Sequence, residues 1–438
     1  MINEVIEMAD KQLSIQEYAA LSKEERHDYY SKLSSDAERE EYDQGLYLYQ
    51  TDNRTALSGL LNTITAEQKP KRWATGFKSL DDKLSGGFKG DKLIFLGAIS
   101  SLGKTSFALQ IATQLAEAGE DVLVFSLEMS KNELNAKTIS RYTHILTQRD
   151  KYRMPYRLTQ EDIENGDIGE VTNDLNGVDA HDQRGQLFLD AYRKAETIAD
   201  RMRIFVGYND INVDKVRHVV DLHIQTTRRK PFVICDYLQI LRPSEQAGTG
   251  EKRLLTDYDV TTLKTIARDF DIPVLVISAF NRDSYLQPVS MSSFRESSGI
   301  EYSSDILLAM QYQGMDYQRC KYYKDKRGKL KRGYENRVEH DTRVRDLLHQ
   351  MEDDGANGKE LPVELRILKN RGGVKGTLYF HFLPAYSYFS EQKAETFKLS
   401  EDDYIFMDDV NFFTDSDIPP APALGETKNG VTIGKKVL

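Results

Sequence analysis

The sequence has few cysteines, no long apolar run, no signal peptide pattern and no excess of positive charge. Its two cysteines, Cys235 and Cys320, lie far apart and outside any CxxC or histidine spacing, so neither a disulfide framework nor a zinc site is indicated. No apolar run approaches the roughly 20 residues of a membrane helix, and the N-terminus MINEVIEMADKQ lacks the basic end and apolar core of a signal peptide. Its formal net charge of −10 argues against a protein that coats nucleic acid by general positive charge. We expect a soluble cytoplasmic protein without a membrane partner.

The sequence does have a phosphate-binding pattern at residues 93–106, LIFLGAISSLGKTS. It predicts a buried strand, a turn, and a helix over residues 103–115 whose first N–H groups face phosphate. The motif is A-x-x-x-x-G-K-T, and Ala98 can replace the usual glycine if φ stays negative there. Lys104 would reach the β- and γ-phosphates and Thr105 would bind Mg²⁺. The residues predicted to bind nucleotide are Ala98, Ser100, Ser101, Leu102, Gly103, Lys104, Thr105 and Ser106.

Two acids follow apolar strands in the way that a nucleotide hydrolase needs. Asp236 ends the run FVICD, and Glu128 follows VLVFSL. Parallel strands end at one edge of a sheet, so both acids should lie beside the phosphate loop. We expect Asp236 to hold Mg²⁺ through water and Glu128 to polarise the attacking water. The alternatives are a helix cap or loop contact for Asp236 and a solvated strand end for Glu128.

The chain from Leu93 onward alternates apolar strands with helical stretches. This pattern predicts an α/β fold with a mostly parallel sheet flanked by helices, and the strands are apolar throughout, as expected when both faces are covered. Residues 147–200 are polar and predict loops and short helices at the rim. The runs LPVELRILKN and GTLYFHFLP predict a β-hairpin around residues 371–375.

Composition divides the chain into regions around this core. Residues 1–50 are acidic and predict a small helical appendage, and residues 51–72 predict a linker helix. The main domain would span residues 73–395, with a hydrophilic basic insert at about 320–360 whose first part, KYYKDKRGKLKRGYENR, carries eight basic and two acidic side chains. Residues 396–438 begin as an acidic tail that we expect to be mostly disordered.

Seven segments then occur in an order known from one family. They are TGFKSLDDKLSGGFKGDKLIFLGA, SSLGKTSFALQIA, VFSLEMS, ICDYLQIL, TLKTIARDFDIPVLVISAFNR, FRESSGIEYSSDILL and LKNRGGVKG. Over about residues 73–390 the chain resembles the RecA-like motor domain of DnaB-type replicative DNA helicases. The reduced N-terminal region suggests a phage or mobile-element member.

The resemblance implies a hexameric ring that hydrolyses ATP with Mg²⁺, translocates on single-stranded DNA and unwinds duplex. Primase or a helicase loader would be further partners. Glu128 would be the catalytic base and Asp236 the metal ligand, beside Lys104. Lys369 and Arg371 would reach a neighbouring subunit's γ-phosphate. The predicted DNA contacts are Arg295, Glu296 and Gly299, with the alternative that Arg295 braces the neighbouring subunit.

The chain departs from the family pattern where a γ-phosphate sensor is expected. The usual Ser-Gln-Leu-Asn-Arg is replaced by residues 278–282, SAFNR, so the sensing glutamine is missing. The alternatives are that Asn281, Arg282 or a pore residue takes this role, or that the coupling of hydrolysis to movement is altered. Two alternatives remain open on sequence: a RecA- or KaiC-like ATPase that assembles on DNA or protein partners without unwinding, and an interaction protein that uses ATP only as an assembly switch.

Overall fold

The computed structural model describes residues 13–14, 17–18, 29–33, 36–51, 53–65, 70–174, 177–207, 211–236, 252–294, 297–324, 330–393 and 404–406. The chain forms two compact units, Met1–Lys71 and Arg72–Leu438. The described helices are, in order, α1 (Asp36–Thr51), α2 (Asn53–Thr65), α3 (Lys78–Lys83), α4 (Lys104–Glu117), α5 (Lys131–Thr147), α6 (Gln160–Glu164), α7 (Gln183–Glu196), α8 (Val213–Thr227), α9 (Lys252–Asp269), α10 (Ser297–Ser303) and α11 (Arg337–Ala356). Within the described residues, none of the helices has the length and apolar character to span a bilayer.

The N-terminal unit contains α1 and α2 together with a small aromatic cluster. Leu13, Tyr18 and Tyr42 are buried against one another, and the Tyr42 hydroxyl donates to the Leu13 carbonyl. Helix α2 corresponds to the predicted linker helix. Its described apolar side chains Leu57, Leu61 and Ile64 are exposed in this unit.

The second unit is built on a nine-stranded sheet. The described strands are, in order, β1 (Arg72–Trp73), β2 (Phe88–Lys89), β3 (Leu93–Ala98), β4 (Val122–Ser126), β5 (Val171–Asp174), β6 (Gly177–Ala180), β7 (Met202–Val206), β8 (Phe232–Asp236), β9 (Val274–Ala279), β10 (Ile306–Tyr312), β11 (Tyr317–Lys324), β12 (Leu330–Tyr334), β13 (Leu361–Asn370), β14 (Gly376–Leu383), β15 (Tyr388–Gln392) and β16 (Tyr404–Phe406). The large sheet has the order β15-β14-β13-β10-β3-β9-β8-β4-β7.

Six of these strands, from β10 to β7 in that order, run parallel, and β13, β14 and β15 extend the sheet in antiparallel fashion. Every residue of β3, β4 and β8 is buried, as expected for strands covered on both faces. The predicted α/β fold with a mostly parallel, helix-flanked sheet is confirmed. The hairpin prediction is also confirmed, because β13 and β14 pair across residues 371–375.

The order of the strands creates a crevice at the edge of the sheet where the parallel strands have their carboxyl ends. Strands β3 and β4 follow each other in sequence, but β9 and β8 lie between them in the sheet. The connections leaving β3 and β4 therefore emerge at separate points with β8 and β9 ending between them. Ligands of open α/β sheets bind in crevices of this kind.

The second half of the predicted hydrophilic insert, up to residue 360, is the 20-residue helix α11. Asn336 caps this helix, accepting from the Glu339 N–H, and the Glu339 side chain accepts from the Asn336 N–H. Only four of its residues are buried, namely His340, Val344, Leu347 and Met351. So narrow a stripe among charged residues does not stand out in sequence.

Residues 147–200 also contain more regular structure than the predicted loops and short helices. Helix α7 has 14 residues and buries Leu187, Leu189 and Ala191, and β5 pairs with β6 as a hairpin. In the insert, β11 pairs with β12. Tyr404–Phe406 of the tail also pairs with Tyr317–Arg319 of β11, so this short piece of the tail is ordered, and the rest of the tail lies outside the described residues.

Candidate active site

The phosphate loop connects β3 to α4 by a turn that needs two left-handed residues, Ser101 with φ of 62° and Gly103 with φ of 85°. A Cβ on Gly103 would lie 2.6 Å from a ring carbon of Phe382, and the ring of Phe382 is stacked on Phe389 at 4.3 Å. Only glycine fits there. Helix α4 has no side-chain cap, so its first N–H groups are left for a ligand such as phosphate.

The unusual Ala98 is accommodated as the sequence predicted. It ends β3 and is not among the residues with positive φ. The position that has no room for a side chain is Gly97, because a Cβ there would lie 2.4 Å from the ring of Phe280. Ala98 and Leu102 are fully buried beneath the loop, so their predicted contact with nucleotide would involve backbone atoms.

A cavity of about 470 Å³ opens above the loop at the carboxyl edge of the sheet. Eight of the predicted site residues line it: Ser100, Ser101, Gly103, Lys104, Thr105, Ser106, Glu128 and Asp236. They come from three separate parts of the chain, which the strand order brings together. The convergence that the sequence implies is therefore present in the fold.

Lys104 extends over the turn rather than out to solvent. Its Nζ donates to the carbonyl oxygens of Ala98 at 3.2 Å and of Ile99 at 2.9 Å. Burial lowers the pKa of Lys104, while the neighbouring carboxylates of Asp236 and Glu128 oppose that shift. A partly buried ammonium group without a carboxylate in direct contact is suited to binding an anion such as phosphate.

Thr105 and Asp236 form the polar centre of the cavity. The Thr105 hydroxyl donates to Asp236 Oδ2 at 2.7 Å. Burial raises the pKa of Asp236 to about 6, helped by the charge of Glu128 and opposed by the Thr105 hydrogen bond. A hydroxyl and a carboxylate are the oxygen ligands that Mg²⁺ prefers. In the described parts of the chain no three His, Cys, Asp or Glu side chains cluster as a metal cage.

Glu128 reaches the cavity because β4 and β8 end side by side. Ser126 is paired with Asp236, and the Leu127 N–H donates to the Asp236 carbonyl at 2.8 Å. The next side chain, Glu128, is exposed and lines the cavity opposite the phosphate loop. An exposed carboxylate in this position can accept a proton from water.

Lys137 also lines the cavity, and sequence reasoning missed it. It lies on α5, whose N-terminus is fixed by a capping box between Ser130 and Glu133. Burial lowers the pKa of Lys137, and its Nζ lies 3.5 Å from Ser387 Oγ. The signal in the sequence was its spacing from Leu134 and Arg141, three and four residues away on the buried face of the helix.

Comparison with known proteins identifies the family. The model of the DnaB-like helicase C terminal domain matches residues 73–391. The chain belongs to this DnaB-like helicase family. Similar curated proteins include the replicative DNA helicase DnaB of Helicobacter pylori strain J99, 27% identical over 353 residues, covering 78% of this chain and 65% of that protein. The same helicase of Geobacillus stearothermophilus is 27% identical over 243 residues, covering 53% and 45%. The chain thus spans less than two thirds of these relatives.

Two solved structures share the fold of this DnaB-like chain. One is described as an ATPase domain; it has a TM-score of 0.57 and 21% identity, and the match covers 78% of this chain and 99% of that one. A structure described as "The Structure Of A DnaB-Like Replicative Helicase And Its Interactions With Primase" has a TM-score of 0.55 and 19% identity, covering 90% and 75%. The predicted resemblance to DnaB-type helicases is confirmed.

The remaining predicted residues of this DnaB-like chain lie away from the cavity wall. Lys369 Nζ donates to the Glu301 carbonyl, and Arg371 Nη2 donates to the Tyr302 carbonyl at 2.9 Å. Both acceptors belong to the last turn of α10, where helix carbonyls attract cations. Burial lowers the pKa of Lys369, as does the adjacent charge of Arg371. The basic pair is therefore held on its own chain by the helix that contains Gly299.

The predicted sensor and DNA-binding residues can be followed only in part. The Asn281 amide donates to the Phe294 carbonyl at 3.3 Å and is not part of the cavity lining, which has Ala279 at the neighbouring position. The sensor role of Asn281 and Arg282 stays a prediction. Arg295 and Glu296 lie outside the described residues.

Proposed function

We propose that this chain is an ATP-dependent DNA helicase of the replicative type, which assembles as a hexameric ring, hydrolyses ATP and moves along single-stranded DNA to unwind duplex. One observation carries the proposal. Within the segment that matches the DnaB-like family, a single cavity brings Lys104, Thr105, Glu128 and Asp236 together. A cation, a hydroxyl and two acids around a phosphate loop are the parts that phosphoryl transfer to water needs.

Each side chain then has a role in hydrolysis. Lys104 and the first N–H groups of α4 bind the β- and γ-phosphates, and Lys137 supplies a second cation from the facing helix. Glu128 accepts a proton from water as the water oxygen bonds to the γ-phosphorus, and the bond from the γ-phosphorus to the oxygen that bridges it to the β-phosphorus breaks, so that inorganic phosphate and ADP are the products. Thr105 and Asp236 would hold Mg²⁺, which neutralises phosphate charge when bound.

We further propose that Lys369 and Arg371 complete the site of a neighbouring subunit. The support is that both are absent from the lining of their own cavity, while they lie where β13 enters its turn. A basic finger of this kind contributes about 10³ to 10⁵ in rate in related nucleotide hydrolases.

A mixture of Arg371→Ala and Lys104→Ala subunits tests the finger. Each variant is inactive alone, but an interface with an intact phosphate loop from the first and an intact finger from the second should recover turnover. No recovery in rings shown to be mixed would place Arg371 elsewhere in the mechanism.

DNA contact is proposed for Arg295, Glu296 and Gly299, with the basic residues of the insert as a second contact. The acidic tail would compete with DNA for this basic surface. The pairing of Tyr404–Phe406 with β11 supports this, because β11 runs into the insert. The test compares the chain ending at residue 399 with the full chain, where we expect the shortened chain to bind single-stranded DNA more tightly and with a steeper salt dependence. Equal affinities would contradict the role of the tail.

We propose the protein partners of this chain from its similarity to replicative helicases. One structure of similar fold is described with primase, and we propose primase or a helicase loader as a partner of this chain in the cytoplasm. The N-terminal unit, with its exposed α2 residues such as Leu57 and Leu61, is a surface for such a contact.

The test of the helicase function is unwinding of a forked DNA duplex by the purified chain with ATP and Mg²⁺, together with electron microscopy on single-stranded DNA. We expect six-membered rings, and unwinding that the Lys104→Ala variant loses while it remains folded. Hydrolysis without unwinding, and filaments instead of rings, would favour a RecA- or KaiC-like ATPase. Ala279 in place of the family's sensor glutamine is the observation that favours this second candidate.

A further inference from the structure

The loop after β9 makes a polar contact with the turn that would hold the phosphates. Tyr285 and Ser100 are 185 positions apart in sequence, and their hydroxyl oxygens lie 3.0 Å apart. Tyr285 is held by a tight turn, since its N–H donates to the Arg282 carbonyl at 3.1 Å. Ser100 directly precedes Ser101, which has the left-handed φ of 62°. The hydrogen bond therefore joins the loop after β9 to the most constrained part of the phosphate loop.

The same loop touches the other end of the phosphate loop through its aromatic rings. Phe280 and Phe294 pack edge to face with centroids 5.1 Å apart. Both lie against Gly97, where a Cβ would be 2.4 Å and 2.5 Å from their ring carbons. The loop after β9 thus contacts the phosphate loop at two points, Gly97 before the turn and Ser100 within it. Because both contacts are closely packed, a displacement of one loop displaces the other.

This loop also leads directly to the proposed DNA contacts. The Asn281 N–H donates to the Ser293 carbonyl at 2.8 Å, and the Asn281 amide donates to the Phe294 carbonyl at 3.3 Å. Phe294 immediately precedes residues 295–296. A displacement of those two residues on DNA binding would be transmitted through Phe294 and Asn281 to the turn that contains Tyr285.

We infer that Tyr285 is a positioning residue that couples DNA contact to the phosphate loop through its hydrogen bond with Ser100. The inference rests on the proposed function. Ala279, on the cavity wall at the end of β9, has only a methyl group and offers no side-chain hydrogen bond to phosphate. Tyr285 supplies a polar link from the following residues to the loop. DNA binding and nucleotide binding then favour the same arrangement of the turn, which is the requirement for coupling between two sites.

Tyr285→Phe removes the hydroxyl and keeps the ring. The quantity to measure is the ratio of ATP turnover with saturating oligo-dT to turnover without it, so that a change in basal rate divides out. We expect this ratio to fall about two- to tenfold, the equivalent of one neutral hydrogen bond. Ser100→Ala should lower it similarly. The double variant should be no lower than either single one, because both changes delete the same bond.

The matched control is Tyr152→Phe, which removes a hydroxyl from a side chain that is 91% exposed, and its ratio should equal that of the wild type. An independent readout is the affinity for oligo-dT with and without a non-hydrolysable ATP analogue, and the factor by which the analogue changes this affinity should be smaller in Tyr285→Phe than in the wild type. A wild-type ratio in Tyr285→Phe, or losses that multiply in the double variant, would overturn the inference alone. A wild type that oligo-dT does not stimulate would overturn the proposed function, and the inference with it.

Discussion

Two buried aspartates lie at opposite ends of the neighbouring strands β4 and β8 and have very different side-chain partners. Asp121 precedes β4 at the amino end, where Arg201 at 2.9 Å, Arg229 at 3.3 Å and His223 at 3.2 Å contact its carboxylate. Asp236 ends the neighbouring β8 at the carboxyl edge. Its direct side-chain partner in the described contacts is the neutral hydroxyl of Thr105.

We interpret Asp121 as a structural carboxylate and propose that Asp236 is a functional one. Asp121 has cationic partners from its own chain, so its charge is balanced within the fold. Asp236 is equally buried, but its pKa rises to about 6 because burial is not offset by a contacting cation. A buried carboxylate with a raised pKa and no contacting cation is suited to binding a cation that does not belong to the chain, such as a metal ion.

The strongest test of this comparison is to neutralise each aspartate in turn. Asp236→Asn should lower ATP turnover by about 10²-fold or more, since a charged ligand is lost where phosphate charge develops. Asp121→Asn, measured in the same assay at a temperature where it is folded, should keep turnover within a few-fold of wild type. If the two variants lost turnover equally, the division of roles between the two ends of the strands would be wrong.

The free energy of unfolding should show the opposite order of effects, with the larger loss in Asp121→Asn. Asp121→Asn leaves Arg201 and Arg229 without their shared carboxylate, and we expect the free energy of unfolding to fall by about 2 kcal/mol, a value reduced because both arginines are partly exposed. Chemical denaturation near neutral pH measures it, with Asp271→Asn, at an exposed pair with Lys230, as the control. A loss no larger than that of the control would contradict the structural role.

Asp236→Asn should instead stabilise the protein at neutral pH, in the absence of nucleotide. The folded pKa of about 6 lies above the usual 3.8, so the carboxylate costs stability above about pH 6 and the cost disappears as pH falls below 4. The neutral amide avoids that cost, a gain of about 2 kcal/mol near pH 8 that shrinks towards pH 4. Unfolding curves at both pH values decide it, and a gain that did not depend on pH would assign the effect to packing.

Lys137 sharpens the comparison at the functional end. Lys137→Met keeps the length and apolar stem but removes the cation that faces the phosphate site. We expect kcat to fall about tenfold, roughly the worth of one charged contact, with little change in the melting temperature. Lys151→Met, at an exposed position on the loop after α5, is the matched control. An unchanged kcat would leave Lys137 as a partner of Ser387 only.

The parts of the site that follow strand ends could be predicted from sequence. Lys104, Thr105, Glu128 and Asp236 occupy positions that depend on where a buried strand stops, and continuous apolar runs make these ends visible. The mostly parallel sheet follows from the same runs. The helix α11 was not predictable because its buried residues are too few among charged ones.

Other features depend on how distant elements meet, which local pattern does not determine. The helical spacing of Lys137 places it near the buried face of α5, but only the packing of α5 beside the cavity shows that it faces the site. The contact of Tyr285 with Ser100 requires β9 to lie beside β3, although strands β4 to β8 lie between them in sequence. The position of Lys369 and Arg371 against α10 likewise depends on the pairing of β10 with β13.

The central claim is that the cavity at the carboxyl edge hydrolyses ATP, and Glu128→Gln tests it most directly. The amide is nearly isosteric with the carboxylate but cannot accept the proton of the attacking water. The measurement is single-turnover hydrolysis of ATP by this variant and the wild type, with bound nucleotide quantified in parallel. The account predicts wild-type nucleotide affinity, hydrolysis slowed by about 10²-fold or more, and ATP retained in the protein. Hydrolysis within a few-fold of the wild-type rate would contradict it.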